Sequence, residues 1–215
     1  ILTPKMAASI WRRISLRLFH GFRRNSKSGS ARNIAYHYDL GNEFYAAWLD
    51  STMTYSSAVY DSENDDLSTA QTNKYRNLAE LADIQPGDHV LEIGCGWGGF
   101  AKYAIEERGA RVTGITISKE QHDFATQRLA DAGLADRAEV RLGDYRDLQG
   151  RFDKIVSIEM FEAVGQAYWG TYFSAVSSLL KDGGRAALQS ITIEENAFEE
   201  YRRDPDFIQR YIFPG

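Results

Sequence analysis

The segment that most constrains this chain is Val90-Leu91-Glu92-Ile93-Gly94-Cys95-Gly96-Trp97-Gly98-Gly99. A short apolar run that reads as a strand leads straight into glycines, and a stretch suited to a helix follows. Glycines at such a junction let the backbone turn tightly and approach a ligand with no Cβ in the way. The spacing Gly94, Gly96, Gly99 matches G-x-G-x-x-G, which raises a dinucleotide site. Two features point elsewhere. Glu92 stands two residues before the first glycine, where a carboxylate suits a ligand bearing an ammonium group better than a pyrophosphate. A dinucleotide site also expects an acid about 20 residues past the loop to hold a ribose. The end of the next strand reads Gly114-Ile115-Thr116-Ile117-Ser118, without an acid. These residues favour S-adenosylmethionine over NAD. A tight turn with no ligand is the bland reading. The carboxyl end of the first strand of an open α/β sheet is, however, where ligands usually sit.

The rest of the chain supplies the sheet. Residues 65–82 read as a helix, with Leu67, Ala70, Leu78 and Leu81 on its apolar face. After Pro86-Gly87 the pattern alternates. Strands are expected at 89–93, 111–117, 138–142, 153–158 and 185–193. Helices are expected at 100–107, 119–132 and 168–180, the last stopped by Lys181-Asp182-Gly183-Gly184. Alternating strands and helices mean an α/β fold, with a largely parallel sheet covered on both faces. Residues 31–60 are rich in aromatics and suit short helices and turns. Three regions follow: a basic arm and linker at 1–32, a helical cover at 33–85, and a ligand-binding core at 86–215.

Charge separates the arm from the body. The chain carries a net −5, yet residues 1–32 hold eight Lys and Arg and no Asp or Glu. Ile10, Trp11, Ile14, Leu18 and Phe22 recur at helical spacing with arginines between them. Such a basic amphipathic helix suits a membrane surface; it could instead pack on this body or in a homodimer. The acidic remainder argues against nucleic acid. Asn25 to Ser30 is a small, polar linker. One cysteine, Cys95, excludes a disulfide framework and a cysteine-rich zinc site, and no spacing of ligands suggests a metal. No apolar run is long enough for a membrane-spanning helix, and the N-terminus lacks the apolar core of a secretory signal. A cytoplasmic location is expected. The ending Phe213-Pro214-Gly215 reads as a cut.

Several segments together resemble the cyclopropane-fatty-acyl-phospholipid synthase family, which includes the mycolic acid cyclopropane synthases. They are Tyr36-His37-Tyr38-Asp39-Leu40-Gly41-Asn42-Glu43-Phe44-Tyr45, Met53-Thr54-Tyr55-Ser56-Ser57-Ala58, the glycine loop, and Gly114-Ile115-Thr116-Ile117-Ser118-Lys119-Glu120-Gln121. Ser157-Ile158-Glu159-Met160-Phe161-Glu162-Ala163-Val164-Gly165 and the terminal residues 207–215 complete the set, in family order, over residues 33–215. The resemblance implies a class I methyltransferase fold, Rossmann-like, with an N-terminal helical extension and C-terminal strands that would follow Gly215. It implies methyl transfer from S-adenosylmethionine to a cis double bond in an unsaturated phospholipid, followed by proton loss that closes a cyclopropane. The enzyme would be cytoplasmic and peripherally membrane-associated.

The same resemblance assigns residues. Tyr55, Ser56, Glu92, Gly94, Cys95, Gly96, Trp97, Gly98, Thr116, Ile117, Ser118, Gln121, Asp144 and Tyr145 fall to the cofactor, with Gln121 on the ribose side and Asp144 at the adenine amine. A bicarbonate ion, the family's proton acceptor, would lie among Ser57, Glu162 and Gln189. Ser57 stands where Cys is common and Gln189 where His is common. His37 is a candidate active-site histidine. A different exit, with the proton leaving a neighbouring carbon, would give a methylene branch and, after reduction, a methyl branch. Two further readings compete: a small-molecule N- or O-methyltransferase, and a non-catalytic lipid- or cofactor-binding relative. Glu159 and Glu162, three apart, would also suit a paired-carboxylate hydrolase, a reading with no other support.

Overall fold

The computed structural model describes residues 41–198. The basic arm, the linker, His37 and residues 207–215 lie outside them. The described chain begins with a short helix α1 (Asn42–Ala46) and a longer helix α2 (Leu67–Leu81). Strands and helices then alternate: β1 (His89–Ile93), α3 (Gly99–Arg108), β2 (Arg111–Thr116), α4 (Lys119–Asp131), β3 (Ala138–Leu142), β4 (Phe152–Ile158), α5 (Trp169–Leu179) and β5 (Leu180–Gln189).

The five strands form one parallel sheet in the order β3-β2-β1-β4-β5. The chain winds outward from β1 through β2 to β3, then returns to the other side of β1 for β4. The carboxyl ends of β1 and β4 therefore flank the point where the winding reverses. Loops diverge there and leave a crevice for a ligand.

Strand alternation sends neighbouring residues to opposite faces. On one face Val90, Val112 and Val156 pack with Phe100, Ala104 and Ile105 of α3, Leu78 of α2 and Leu129 of α4. On the other, Leu91, Ile93 and Ile155 pack with Tyr172, Val176 and Leu179 of α5. Both faces are covered, as the alternating pattern predicts. Val90, Leu91, Ile105 and Ile155 are fully buried, and each such side chain contributes about 1.5–3 kcal/mol.

Local chemistry fixes the helix starts. The Asp66 carboxylate accepts from the Thr69 backbone N–H at 2.7 Å and caps α2. Ser118 caps α4 by accepting from Gln121 N at 3.3 Å. Each cap satisfies a backbone donor that has no partner within its helix.

The fifth strand departs from expectation. Residues 181–184 read as a loop with the strand beyond them, yet β5 begins at Leu180, directly after α5. Leu180 pairs with Phe152, and a register irregularity before the Lys154–Arg185 pair absorbs the extra residues. Gly183, at φ +77°, makes that kink, and a Cβ at Gly184 would meet Asp153 O at 2.8 Å. The Lys181–Asp153 ion pair at 2.8 Å pins the irregular stretch. At its far end β5 stops at Gln189 rather than residue 193. The Ile191 N–H is taken by the Glu162 carboxylate, so the ladder cannot continue there. Among the described residues no helix is long and apolar enough to cross a membrane, and no cluster of His, Cys, Asp and Glu could hold a metal.

Candidate active site

A cavity of about 220 Å³ opens at the carboxyl ends of β1, β2 and β4. Its floor is the glycine loop. Gly94 has φ +81°, and a Cβ there would come within 2.9 Å of Met160 Cγ across the cavity rim. A Cβ at Gly99 would collide with the Tyr75 hydroxyl. The loop can take this shape only without side chains at these points.

Glu92, next to last in β1, lines the cavity. It is 3% exposed, and its Oε2 is buried with no hydrogen-bond partner. Burial holds its carboxyl well above the usual range; a backbone hydrogen bond from Ala101 and the nearby Lys74 oppose that shift. A buried carboxylate oxygen without a donor is an unmet demand for positive charge or a proton. Lys74, on α2, is 1% exposed and donates from Nζ to Ser56 Oγ at 2.5 Å. Burial pushes its ammonium down to about 8, against the pull of Glu159, Asp50 and Glu92.

The β2 end supplies a second polar group. Gln121 is buried and lines the cavity, and its Oε1 accepts from Thr116 Oγ1 at 2.8 Å. That bond turns the amide so that Nε2, which makes no hydrogen bond to a described residue, remains as a donor. Beyond β3, Asp144 and Tyr145 line the same cavity. The Asp144 carboxylate is held by Arg146, with Nε at 2.8 Å and Nη2 on the second oxygen. Burial pushes the Tyr145 hydroxyl up to about 12.

The opposite wall is aromatic. Tyr45, Trp48, Tyr55 and Trp97 pack with ring centroids 5.0–5.8 Å apart, and of these Tyr55 and Trp97 line the cavity. Trp97 Nε1 donates to Asn42 Oδ1 at 2.7 Å, and Arg128 Nη1 donates to Thr52 O at 2.7 Å. The segment before α2 is thereby fastened to the glycine loop and to α4.

Most residues expected at the cofactor come together here: Tyr55, Ser56, Glu92, Gly94, Cys95, Gly96, Trp97, Thr116, Ile117, Gln121, Asp144 and Tyr145 all line the cavity. Gly98 and Ser118 do not. Gly98 faces α4, where a Cβ would meet Ala125 Cβ at 3.2 Å. Ser118 acts one step back, capping the helix that carries Gln121.

At the β4 end the arrangement differs from the expected trio. Ser57 and Gln189 do meet, with Gln189 Nε2 3.1 Å from Ser57 Oγ. The carboxylate between them is Glu159. Its Oε1 accepts from Ser57 N at 3.0 Å, Ser57 Oγ at 2.5 Å and Gln189 Nε2 at 3.0 Å. Glu162 lines the cavity but binds the Ile191 backbone N–H. Sequence reasoning missed Glu159 as a member of this trio, and also Lys74 and Arg146. The available signal was position: Glu159 follows the carboxyl end of β4, as Glu92 sits at that of β1.

A family model described as mycolic acid cyclopropane synthetase matches residues 25–215. Tuberculostearic acid methyltransferase UfaA1 of Mycobacterium tuberculosis is 44% identical over 198 residues, covering 89% of this chain and 46% of that protein. The cyclopropane-fatty-acyl-phospholipid synthase of Escherichia coli K12 is 41% identical over 179 residues, covering 83% and 44%. Among solved structures, mycolic acid cyclopropane synthase CmaA1 complexed with SAH and CTAB matches with a TM-score of 0.79 at 31% identity, covering 86% of this chain and 68% of that one. The cyclopropane synthase MmaA2 from Mycobacterium tuberculosis gives a TM-score of 0.78 at 28% identity, with the same coverage. The chain spans about half the length of the curated relatives it matches.

Proposed function

Because the chain belongs to the mycolic acid cyclopropane synthetase family, we propose that it binds S-adenosylmethionine in the strand-end cavity and methylates a cis double bond of an unsaturated acyl chain. The observation that carries this reading is the unpartnered Glu92 Oε2, buried in the cavity wall. The residues present fit the cofactor. Glu92 would receive its ammonium group, Gln121 Nε2 would donate to its ribose hydroxyls, and the Asp144 carboxylate would accept from its adenine amine. When bound, the cofactor supplies an electrophilic methyl on a sulfonium.

The chain's own residues do the rest. An alkene is a weak nucleophile, so the cover must hold it in line and exclude water. Tyr55 and Trp97 line the cavity, and aromatic faces can stabilise positive charge on an acyl chain without trapping it. Bicarbonate fits less well. The donors that would hold it, on Ser57 and Gln189, already converge on Glu159. No step is assigned to that ion.

The relative at 44% identity is named a tuberculostearic acid methyltransferase, which favours a second reading on the same substrate: a methylene branch in place of the ring. A phospholipid is the proposed acyl carrier, and the basic segment 1–32 is proposed to bring the protein to an anionic bilayer. Incubation with S-adenosylmethionine and a monounsaturated phospholipid tests the reading. Acyl chains heavier by one CH₂ are expected, and NMR separates ring protons from a methylene. Unchanged acyl chains in the presence of demonstrable cofactor binding overturn it. Loss of liposome binding on deletion of residues 1–32 is expected; unchanged binding removes the arm's role.

A further inference from the structure

We propose that Glu159 is the proton acceptor of the reaction, a base carried by the chain itself. The proposal rests on the acyl-chain methylation read above. Glu159 lines the cavity at the end of β4, and three donors converge on its Oε1: Ser57 N, Ser57 Oγ and Gln189 Nε2. An ionised carboxylate only accepts hydrogen bonds, so a cluster of donors suits that form. Its Oε2 makes no hydrogen bond to a described residue and is left for another partner. The buried Lys74 ammonium is close enough to interact with it.

The backbone adds an independent observation. Glu159 sits at φ +47°, in the left-handed region that favours glycine. Its N–H is tied to Gln189 O at 2.9 Å. A full side chain is thus held against a backbone preference, and such departures gather at functional positions. The strained turn and the donors act on one side chain and aim it at the cavity from β4.

The chemistry balances. Once the double bond has accepted a methyl group, a chain carbon is positive and the neighbouring C–H bonds are acidified. Glu159 Oε2 takes one of these protons. The freed electron pair closes a ring when the hydrogen leaves the new methyl, or a carbon–carbon double bond when it leaves an adjacent chain carbon. Cation and carboxylate become a neutral lipid and a neutral carboxyl. Ser57 is exposed, so the proton can return to water past it.

The test uses Glu159→Gln and Glu159→Gly in the protein expressed from its full reading frame, assayed in carbon-dioxide-free buffer. S-adenosylhomocysteine binding is the readout independent of turnover. For Glu159→Gln we expect turnover lower by at least about 100-fold with affinity for S-adenosylhomocysteine changed by less than about threefold. For Glu159→Gly, which relieves the backbone and opens the position, we expect bicarbonate or formate to restore part of the lost turnover. Neither anion should alter the unsubstituted protein. Near-normal turnover by the Gln variant overturns the proposal. So does a requirement for bicarbonate in the unsubstituted protein. A glycine variant that binds S-adenosylhomocysteine but is not rescued by either anion overturns it too, because a positioning residue gives that pattern. No product from the unsubstituted protein defeats the methylation itself and the base with it; near-normal turnover by both variants without added anion defeats the base alone.

Discussion

Glu92 and Glu159 stand at the carboxyl ends of adjacent parallel strands and line one cavity, yet their surroundings are opposite. Glu92 is sealed in, with one oxygen lacking any donor. Glu159 is half-buried, with three donors on one oxygen. Residue type and layer in the sheet are the same, so what differs is what surrounds each carboxylate. A carboxylate starved of donors in an apolar wall demands a cation, and so reads as a receptor for a positively charged ligand. One whose first oxygen is fixed by three donors keeps its second oxygen in a set place, where it can meet a C–H bond of the substrate. Under the proposed function, the two strand ends divide binding from chemistry.

Lys74 bears on both carboxylates, and removing it gives the largest expected effect. Its ammonium, ordinarily near 10.5, is pushed down to about 8, first by burial. Below pH 8 the folded and unfolded states both carry the charge, and the folded state bears the full desolvation penalty. Between pH 8 and 10.5 the unfolded chain binds the extra proton, so stability rises with pH. Lys74→Met should abolish that rise, which is on the order of 3 kcal/mol. Urea denaturation of both proteins at pH 7.5 and 10.5 checks it. The variant's advantage should be greatest at the lower pH and should shrink at the higher. A difference independent of pH would mean that Lys74 is held charged throughout by Glu159 and Glu92 together.

Glu92→Gln addresses one carboxylate alone. S-adenosylhomocysteine affinity should fall by about 100-fold, the loss expected for a charge-assisted contact in a buried site. Calorimetric titration measures it. The unliganded protein should lose part of its pH dependence as well. Burial raises the Glu92 carboxyl, so the folded state keeps a proton that the unfolded state releases above its ordinary carboxylate value. Stability therefore falls as pH rises through that window, and glutamine removes the fall. Unchanged affinity would erase the functional distinction between the two strand ends.

Much of the Glu92 side was legible in the sequence. The strand, the glycines and the acid lie within ten consecutive residues, and the register of a parallel sheet leaves the loop one place to go. The Glu159 side was legible only in part. Ser57 precedes α2, Glu159 follows β4 and Gln189 ends β5, and only the winding of the sheet brings them together. Which of two nearby acids, Glu159 or Glu162, would meet Ser57 depended on the left-handed turn at Glu159, and no local pattern announces a positive φ at glutamate. Lys74 was hidden for a related reason. On a helix it reads as a solvated face, yet it is buried and bonded to Ser56 of the segment before α2. The early start of β5 was missed because Lys181-Asp182-Gly183-Gly184 has the composition of a loop, while the irregularity opposite Asp153 lets it stay in the ladder.

The smallest expected effect is also the sharpest test of the division. Ser57→Ala removes the hydroxyl donor from Glu159 Oε1 but leaves the Ser57 backbone N–H and Gln189 Nε2 in place. One hydrogen bond to a charged acceptor of three is lost, and at an exposed residue water replaces part of it. Turnover should fall by roughly five- to tenfold, corresponding to about 1 kcal/mol of transition-state stabilisation. S-adenosylhomocysteine affinity should not move, because no bond of Ser57 reaches the Glu92 side of the cavity. Steady-state kinetics beside calorimetry separates the two quantities. If Ser57→Ala weakens cofactor binding as Glu92→Gln does, the two carboxylates are parts of one binding surface. If it lowers turnover alone, the donors around Glu159 serve the proton and those missing around Glu92 serve the ligand's charge.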